Sequence, residues 1–160
     1  MLEEQVLEVR RHDCAAFHCG VPALDDYLHK YAAQHNAKGI STVFALVDDA
    51  APSKILGFYT LSAAQVGVQQ LSDTERKMLP LYPVPCFRMG RLARTIESRG
   101  TGLGEVLIGC AVDRCLHARS LVGAYALLAD AKDEEAKSFY ERYGFIPCVD
   151  APISLYLPLV

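Results

Sequence analysis

The chain has 160 residues, with 16 Lys+Arg against 19 Asp+Glu and a formal net charge of −3. At 51% hydrophobic and 22% charged it is too apolar for a disordered chain, and its length fits one domain, residues 1–160, with a core of its own. No run approaches the roughly 18 apolar residues of a membrane span. The start, Met1-Leu2-Glu3-Glu4, lacks the apolar run of a secretory signal, so a soluble cytoplasmic protein is expected.

In chain order, Val6 to Arg10 reads as a short first strand. Val21 to His35 reads as a helix, because Leu24, Leu28, Tyr31 and Ala32 recur at helical spacing, and Gly39 closes that unit. Ser41 to Asp48 and Lys54 to Val66 read as two strands joined by the turn Asp48-Asp49-Ala50-Ala51-Pro52-Ser53. A short helix over Ser72 to Met78 precedes the prolines 80, 83 and 85, and Cys86 to Ala93 is the next strand. Leu103 to Cys115 reads as a helix apolar nearly all round, hence buried, and Leu121 to Ala129 as a strand. Asp133 to Tyr143 is a helix with Ala136, Phe139, Tyr140 and Tyr143 on one stripe and Gly144 as its stop; Ile153 to Leu159 is a terminal strand. This order predicts an α+β fold of three layers, αβα, a mixed sheet with helices on both faces.

Six cysteines, at 14, 19, 86, 110, 115 and 148, form no CxxC pair and read as buried thiols rather than disulfides. His12, Cys14, His18 and Cys19 crowd one segment, but their spacing matches no zinc pattern, and no metal is expected. Charge is unevenly spread: Arg76 to Arg119 holds eight basic and three acidic residues, a local +5 against −8 for the rest. That points to a local anion site, or to arginines paired with the acidic flanks.

Arg99-Gly100-Thr101-Gly102-Leu103-Gly104 follows a predicted strand and opens a helix. Three glycines let several backbone N–H groups converge beside the positive end of the helix, and Arg99 adds a full charge. The expected guest is a phosphate or pyrophosphate, the bland alternative a tight turn. No Lys-Ser/Thr follows the last glycine, which excludes a Walker A loop, and the glycine spacing does not fit a dinucleotide fold. Tyr140 is either a catalytic acid or a core aromatic.

Arg99-x-x-Gly102-x-Gly104, followed by a helix ending in Phe139-Tyr140-x-x-Tyr143-Gly144-Phe145, resembles the GNAT N-acetyltransferase superfamily. A narrower resemblance, to the aminoacyl-tRNA-acetylating toxins of type II toxin–antitoxin modules, runs through five segments. These are Phe17-x-Cys19-Gly20-x-x-x-Leu24-Asp25-x-Tyr27-Leu28, Gly57-Phe58-Tyr59-Thr60-Leu61-Ser62, Pro83-Val84-Pro85, Gly90-Arg91-Leu92-Ala93 and Asp130-Ala131. Arg94-Thr95 stands where those toxins usually have an aliphatic residue and Asp.

The resemblance implies a mostly antiparallel mixed sheet whose splayed parallel strand pair binds acetyl-CoA. It implies that Leu92, Ala93 and Arg94 hold the pantetheine arm by backbone hydrogen bonds and that Arg99, Gly100, Thr101, Gly102, Leu103 and Gly104 take the pyrophosphate. Asp133, Ala136 and Phe139 would then contact the cofactor, and Tyr140 would be the acid toward the leaving thiolate. In a toxin, Arg88, Arg91 and Arg94 become candidates for tRNA phosphates, a ribbon-helix-helix antitoxin the usual partner, and a homodimer the usual assembly. Deprotonating the acceptor at pH 7 costs about 4.6 kcal/mol for a lysine but only about 1 kcal/mol for an α-amine. No dedicated base is evident in the sequence, so a low-pKa amine is favoured. Alternative readings are an acetyltransferase of a small amine or a protein N-terminus, and a non-catalytic CoA- or partner-binding module.

Overall fold

The computed structural model describes residues 1–159. The strands are β1 (Leu2–Val6), β2 (Thr42–Asp48), β3 (Gly57–Val66), β4 (Val84–Met89), β5 (Leu92–Arg94), β6 (Ala126–Asp130), β7 (Ile146–Pro147) and β8 (Ser154–Pro158). They form a mixed sheet in the order β1-β2-β3-β4-β6-β8-β7, with β5 also paired to β3. The helices are α1 (Pro22–Asp26), α2 (Ala32–Ala37), α3 (Asp73–Arg76), α4 (Leu103–Ala118) and α5 (Glu134–Arg142). None among the described residues is long and apolar enough to cross a membrane. The chain divides into two compact units, Met1–Ser62 with Arg91–Ala111, and Ala63–Gly90 with Val112 onward.

In the first unit, β2 is apolar on both faces and buried over Val43 to Val47, as a central strand requires. It pairs antiparallel with β1 and with β3, and β3 pairs antiparallel with β5 through Gly57–Arg94, Phe58–Ala93 and Tyr59–Leu92. The hairpin turn after β2 is held by Asp48, whose carboxylate accepts the Ala50 N–H at 2.9 Å. One face, carrying Val43, Ala45, Phe58 and Ala93, packs against Leu24, Tyr27, Leu28 and Ala32. On the other, Phe44 stacks on Tyr59 with ring centroids 5.0 Å apart. There a Cβ at Gly57 would stand 2.8 Å from Leu107 of α4, so helices cover both faces of this unit.

Three local readings need correction here. The first strand is Leu2–Val6, not Val6 to Arg10: its two glutamates suit a sheet edge, and beyond Leu7 the chain turns as His12 N–H donates to Glu8 O (2.9 Å). The Val21 to His35 helix is interrupted over Tyr27–Tyr31 by a widened turn in which the Ala32 N–H reaches back five residues to Tyr27 O. That extra residue moves Tyr31 off the buried stripe, leaving it 50% exposed while Leu28 and Ala32 stay buried. Finally, α4 is one-sided: Leu103, Leu107, Ile108, Ala111 and Cys115 are buried, whereas Glu105, Val106, Asp113 and Leu116 are exposed.

In the second unit β4 and β6 run parallel, paired from Cys86–Ala126 to Met89–Ala129, and β8 pairs antiparallel with both β6 and β7. Val84, Cys86, Ala126, Leu128 and Tyr156 form the core of one face. β6 begins at Ala126 rather than Leu121, which is 88% exposed, and β3 begins at Gly57 rather than Lys54. α5 starts on Asp133, whose carboxylate accepts the Ala136 N–H at 2.8 Å, and carries Glu134 and Glu135 at its positive end. It stops in a Schellman turn: Gly144, at φ +91°, donates its N–H to Glu141 O, and the Phe145 N–H donates to Tyr140 O.

Substituting Gly57→Ala should destabilise the fold by about 1–3 kcal/mol, because the new Cβ meets both Leu107 (2.8 Å) and the Ala93 carbonyl (3.0 Å). Denaturant midpoints check this. Leu107→Ala, itself costly in this core, should cost less on the Gly57→Ala background than in the wild type, because it removes one of the two clashes.

Candidate active site

The glycine loop lies in the first unit. Thr95, buried, opens it: the Thr95 and Ser98 hydroxyls are 2.5 Å apart and the Ser98 N–H donates to Thr95 O. Arg99 N–H then goes to Ile96 O and Thr101 N–H to Ser98 O. Gly100 and Gly102 have φ of +76° and +80°, and nothing lies within 4 Å of where a Cβ would stand on either. They are glycines for conformation, not for close packing, and they turn successive N–H groups toward one side. The first helical bond runs from Val106 N–H to Gly102 O (3.2 Å), so the N–H groups of Leu103, Gly104 and Glu105 precede any carbonyl the helix can offer. Arg99 is exposed and makes no ion pair among the described residues. Convergent N–H donors, a helix start and an unpaired guanidinium suit an anion.

Just upstream, the parallel ladder ends at Met89–Ala129, and the chain pairs next with β3 through β5. Arg91 between them is anchored to Thr60: its N–H donates to Thr60 Oγ1 (3.2 Å) and its carbonyl accepts the Thr60 N–H (3.1 Å). Among the described residues β5 pairs with β3 alone, so the other edge of Leu92, Ala93 and Arg94 keeps peptide groups outside any ladder. Those groups can dock an extended amide-bearing chain.

Tyr140 lies in the second unit. Four tyrosines are buried there and in the first unit: Tyr27, Tyr59, Tyr140 and Tyr156. Tyr27 Oη lies 3.3 Å from both His35 Nδ1 and Ser41 Oγ, Tyr59 donates to Glu4, and Tyr156 accepts the Ser72 N–H. Tyr140 Oη has no such partner among the described residues. Among the described residues no side-chain oxygen is both sealed from solvent and unbonded, so this hydroxyl reaches solvent although the residue is only 6% exposed. Its ring is wedged between Phe139 (5.6 Å) and Phe145 (5.3 Å). Burial, with the Asp130 charge adding to it, pushes the phenol up to about 12.

The other sequence candidates are distributed as follows. Ala136 and Phe139 share the α5 stripe with Tyr140, and both are half-buried. Asp133 is occupied as a helix cap and by Lys132 Nζ (2.7 Å), contacts that hold its carboxyl below the usual range, the lysine contributing most. Arg88 pairs with Asp130 at 2.7 Å, and Asp130 also accepts the Ser154 hydroxyl at 3.1 Å. Arg91 lies 3.8 Å over the Tyr27 ring, while Arg94 makes no ion pair among the described residues. Asp130 is the neighbour that sequence reasoning did not assign; the Asp130-Ala131 pair closing β6 was its only trace.

The cysteine-histidine segment is spent elsewhere. His12 accepts the Glu8 N–H and bonds Gln5, and His18 bonds Asp25. Burial pushes Cys19 and Cys86 up to about 11 and Cys115 up to about 12, and it raises Cys14 and Cys148 as well. Such thiols are poor nucleophiles.

Sheet order, glycine loop and the α5 closure together describe a GNAT-type acetyltransferase fold. No protein-family model matches the chain. A tRNA-acetylating toxin of Mycobacterium tuberculosis is 34% identical over 145 residues, covering 91% of this chain and 85% of that protein. A crystal structure of a Tyr→Phe mutant of KacT superposes with a TM-score of 0.93 at 31% identity, covering 99% and 95% of the two chains. AtaT complexed with acetyl-methionyl-tRNA gives a TM-score of 0.92 at 28% identity, covering 99% and 95%. AtaT has also been solved with the C-terminus of its antitoxin AtaR and acetyl-CoA (TM-score 0.84, 26% identity, 99% and 93% covered). This chain belongs to the GNAT-type tRNA-acetylating toxin family.

The raised Tyr140 phenol carries a stability consequence. The unfolded chain releases this proton near pH 10 and the folded chain near 12, so the stabilisation is fully present below pH 10 and is lost between those values, up to about 2–3 kcal/mol. Unfolding free energies from pH 9 to 12 should fall less steeply for Tyr140→Phe than for wild type.

Proposed function

We propose that the chain transfers an acetyl group from acetyl-CoA to the α-amine of aminoacyl-tRNA, and thereby acts as a translation-blocking toxin in the cytoplasm. The observation that carries this reading is the relationship to the mycobacterial tRNA-acetylating toxin along most of the chain. The glycine loop and Arg99 would hold the pyrophosphate of the donor substrate, and the open edge of Leu92, Ala93 and Arg94 its pantetheine amides. A backbone N–H at that edge would polarise the thioester carbonyl. Asp133 would act by fixing the start of α5, and Ala136 and Phe139 by lining the wall beside Tyr140.

The reaction makes one C–N bond and breaks one C–S bond. The neutral amine attacks the thioester carbonyl, the carbonyl re-forms, the CoA sulfur leaves with the bonding pair, and the amine nitrogen gives up a proton. Tyr140, with its hydroxyl unspent, would be the donor toward the departing sulfur. At about 12 against a thiol near 8.5, complete proton transfer from Tyr140 would be uphill by about 5 kcal/mol. Its role is therefore a hydrogen bond to the developing thiolate, strengthened by the low-dielectric wall of Phe139 and Phe145. The α-amine of an aminoacyl ester gives up its proton at low cost at neutral pH, which suits a chain with no assigned base.

Of the cations proposed for tRNA phosphates, Arg94 has neither an ion pair nor a ring contact among the described residues; Arg88 is paired with Asp130 and Arg91 lies over the Tyr27 ring. An antitoxin partner is supported by the AtaT–AtaR and KacT–antitoxin–DNA complexes of related proteins. Its ribbon-helix-helix class and a homodimeric toxin rest on the family resemblance.

Radiolabelled acetyl-CoA should label aminoacylated but not deacylated tRNA. Label confined to added free amines would move the function to another acceptor. Tyr140→Phe should lower kcat by about 10²–10⁴-fold while leaving acetyl-CoA affinity within about twofold, read by single-turnover kinetics and equilibrium binding.

A further inference from the structure

In the first unit, a buried carboxylate holds an exposed imidazole on the segment that is bonded to the turn before the glycine loop. Asp25 on α1 is 7% exposed and would be costly to bury unless its oxygens were satisfied. Oδ1 accepts the Cys19 N–H at 2.8 Å and Oδ2 lies 2.9 Å from His18 Nδ1. Burial opposes the charge on Asp25, but the bonds from Cys19 and His18 outweigh it and keep the carboxyl below its usual range. The Cys19 bond shapes the turn. The His18 bond satisfies the second oxygen and does something more, because that side chain is 70% exposed while the carboxylate it meets is buried. What it does is orient the ring: Nδ1 is committed to Asp25, and Nε2 is the nitrogen left for an outside partner.

The position of the ring gives that partner its chemistry. His18 O accepts the Ile96 N–H at 3.1 Å, which fastens the 18–20 segment to the turn leading into the loop. Gly20, at φ +87°, passes so close that a Cβ there would meet Ile96 at 3.2 Å and the Arg99 guanidinium at 3.8 Å. An oriented imidazole thus stands two residues from Gly20, the neighbour of a guanidinium that has no ion pair among the described residues.

Building on the acetyl-CoA reading above, we infer that His18, with a proton on each ring nitrogen, is a phosphoryl ligand of the donor site: Nδ1–H donates to Asp25, its positioning residue, and Nε2–H to a phosphate oxygen of acetyl-CoA alongside Arg99. The phosphoryl group is the pyrophosphate or the ribose 3′-phosphate, and the two separate by experiment. His18→Asn keeps a side-chain N–H for Asp25 and removes Nε2; His18→Ala removes both.

Affinities for CoA, 3′-dephospho-CoA and pantetheine should be measured by calorimetry beside steady-state kinetics. Both variants are expected to weaken CoA about tenfold and to raise KM for acetyl-CoA similarly, with kcat and pantetheine affinity unchanged. A loss that disappears with 3′-dephospho-CoA assigns the 3′-phosphate, and one that persists assigns the pyrophosphate. Unchanged CoA affinity overturns the inference. So does a loss that extends to pantetheine or kcat, which marks a structural role, or one confined to KM for aminoacyl-tRNA, which makes His18 a tRNA contact. Failure of the wild-type chain to bind CoA at all overturns the donor assignment itself, a result distinct from any of these.

Discussion

The Schellman turn at the end of α5 is the constraint on which the setting of Tyr140 depends. Gly144 takes a left-handed conformation that an ordinary residue would resist, which lets the Phe145 N–H return to Tyr140 O and drops the Phe145 ring onto the Tyr140 ring. One backbone turn therefore fixes the depth and the tilt of the phenol. The buried tyrosines 27, 59 and 156 put their hydroxyls into the fold, while Tyr140 is anchored through its backbone and ring and keeps its hydroxyl for an outside group. The same burial that holds the ring also raises the phenol, so the hydroxyl keeps its proton throughout the physiological range.

The glycine loop and β5 follow the opposite principle, with backbone groups left outside any ladder or helix among the described residues. The sheet does not continue its parallel ladder past Met89, and the chain reaches the glycine loop through β5 and the turn at Thr95. Thr95 differs from the aspartate usual in related toxins, yet it is buried and bonded to Ser98 at the mouth of that loop. The difference falls on the hinge of the anion loop. An arrangement in which peptide groups supply most of the donors tolerates side-chain change provided that the two left-handed glycines remain.

Much of the fold is legible in the sequence because its signals are local. Helical spacing marks α5 and most of α1–α2, β-branched apolar runs mark β2, and Gly39 and Gly144 mark stops that the backbone confirms with positive φ. The first strand is not legible, since an edge strand with Glu3 and Glu4 carries no apolar alternation. The widened turn at Tyr27–Tyr31 is also invisible, because one inserted residue leaves composition unchanged while shifting the stripe. α4 reads as buried all round because Val106 and Leu116 are apolar, whereas their position on the helix leaves them in solvent. Of the site, the glycine loop and Tyr140 are motif-borne. The pairs Arg88–Asp130 and His18–Asp25 are tertiary and semi-local contacts that no residue spacing announces.

The buried thiols bear on a hazard peculiar to this chemistry. A protein that holds an activated thioester and releases a free thiol exposes its own cysteines to acyl exchange, in which a thiolate captures the acetyl group and wastes the donor. A thiol held at about 11 is thiolate to only about one part in 10⁴ at neutral pH, and Cys19 and Cys86 stand there with Cys115 higher still. Cys19, Cys86, Cys115 and Cys148 are compatible with a thioester substrate because the core that buries them also silences them.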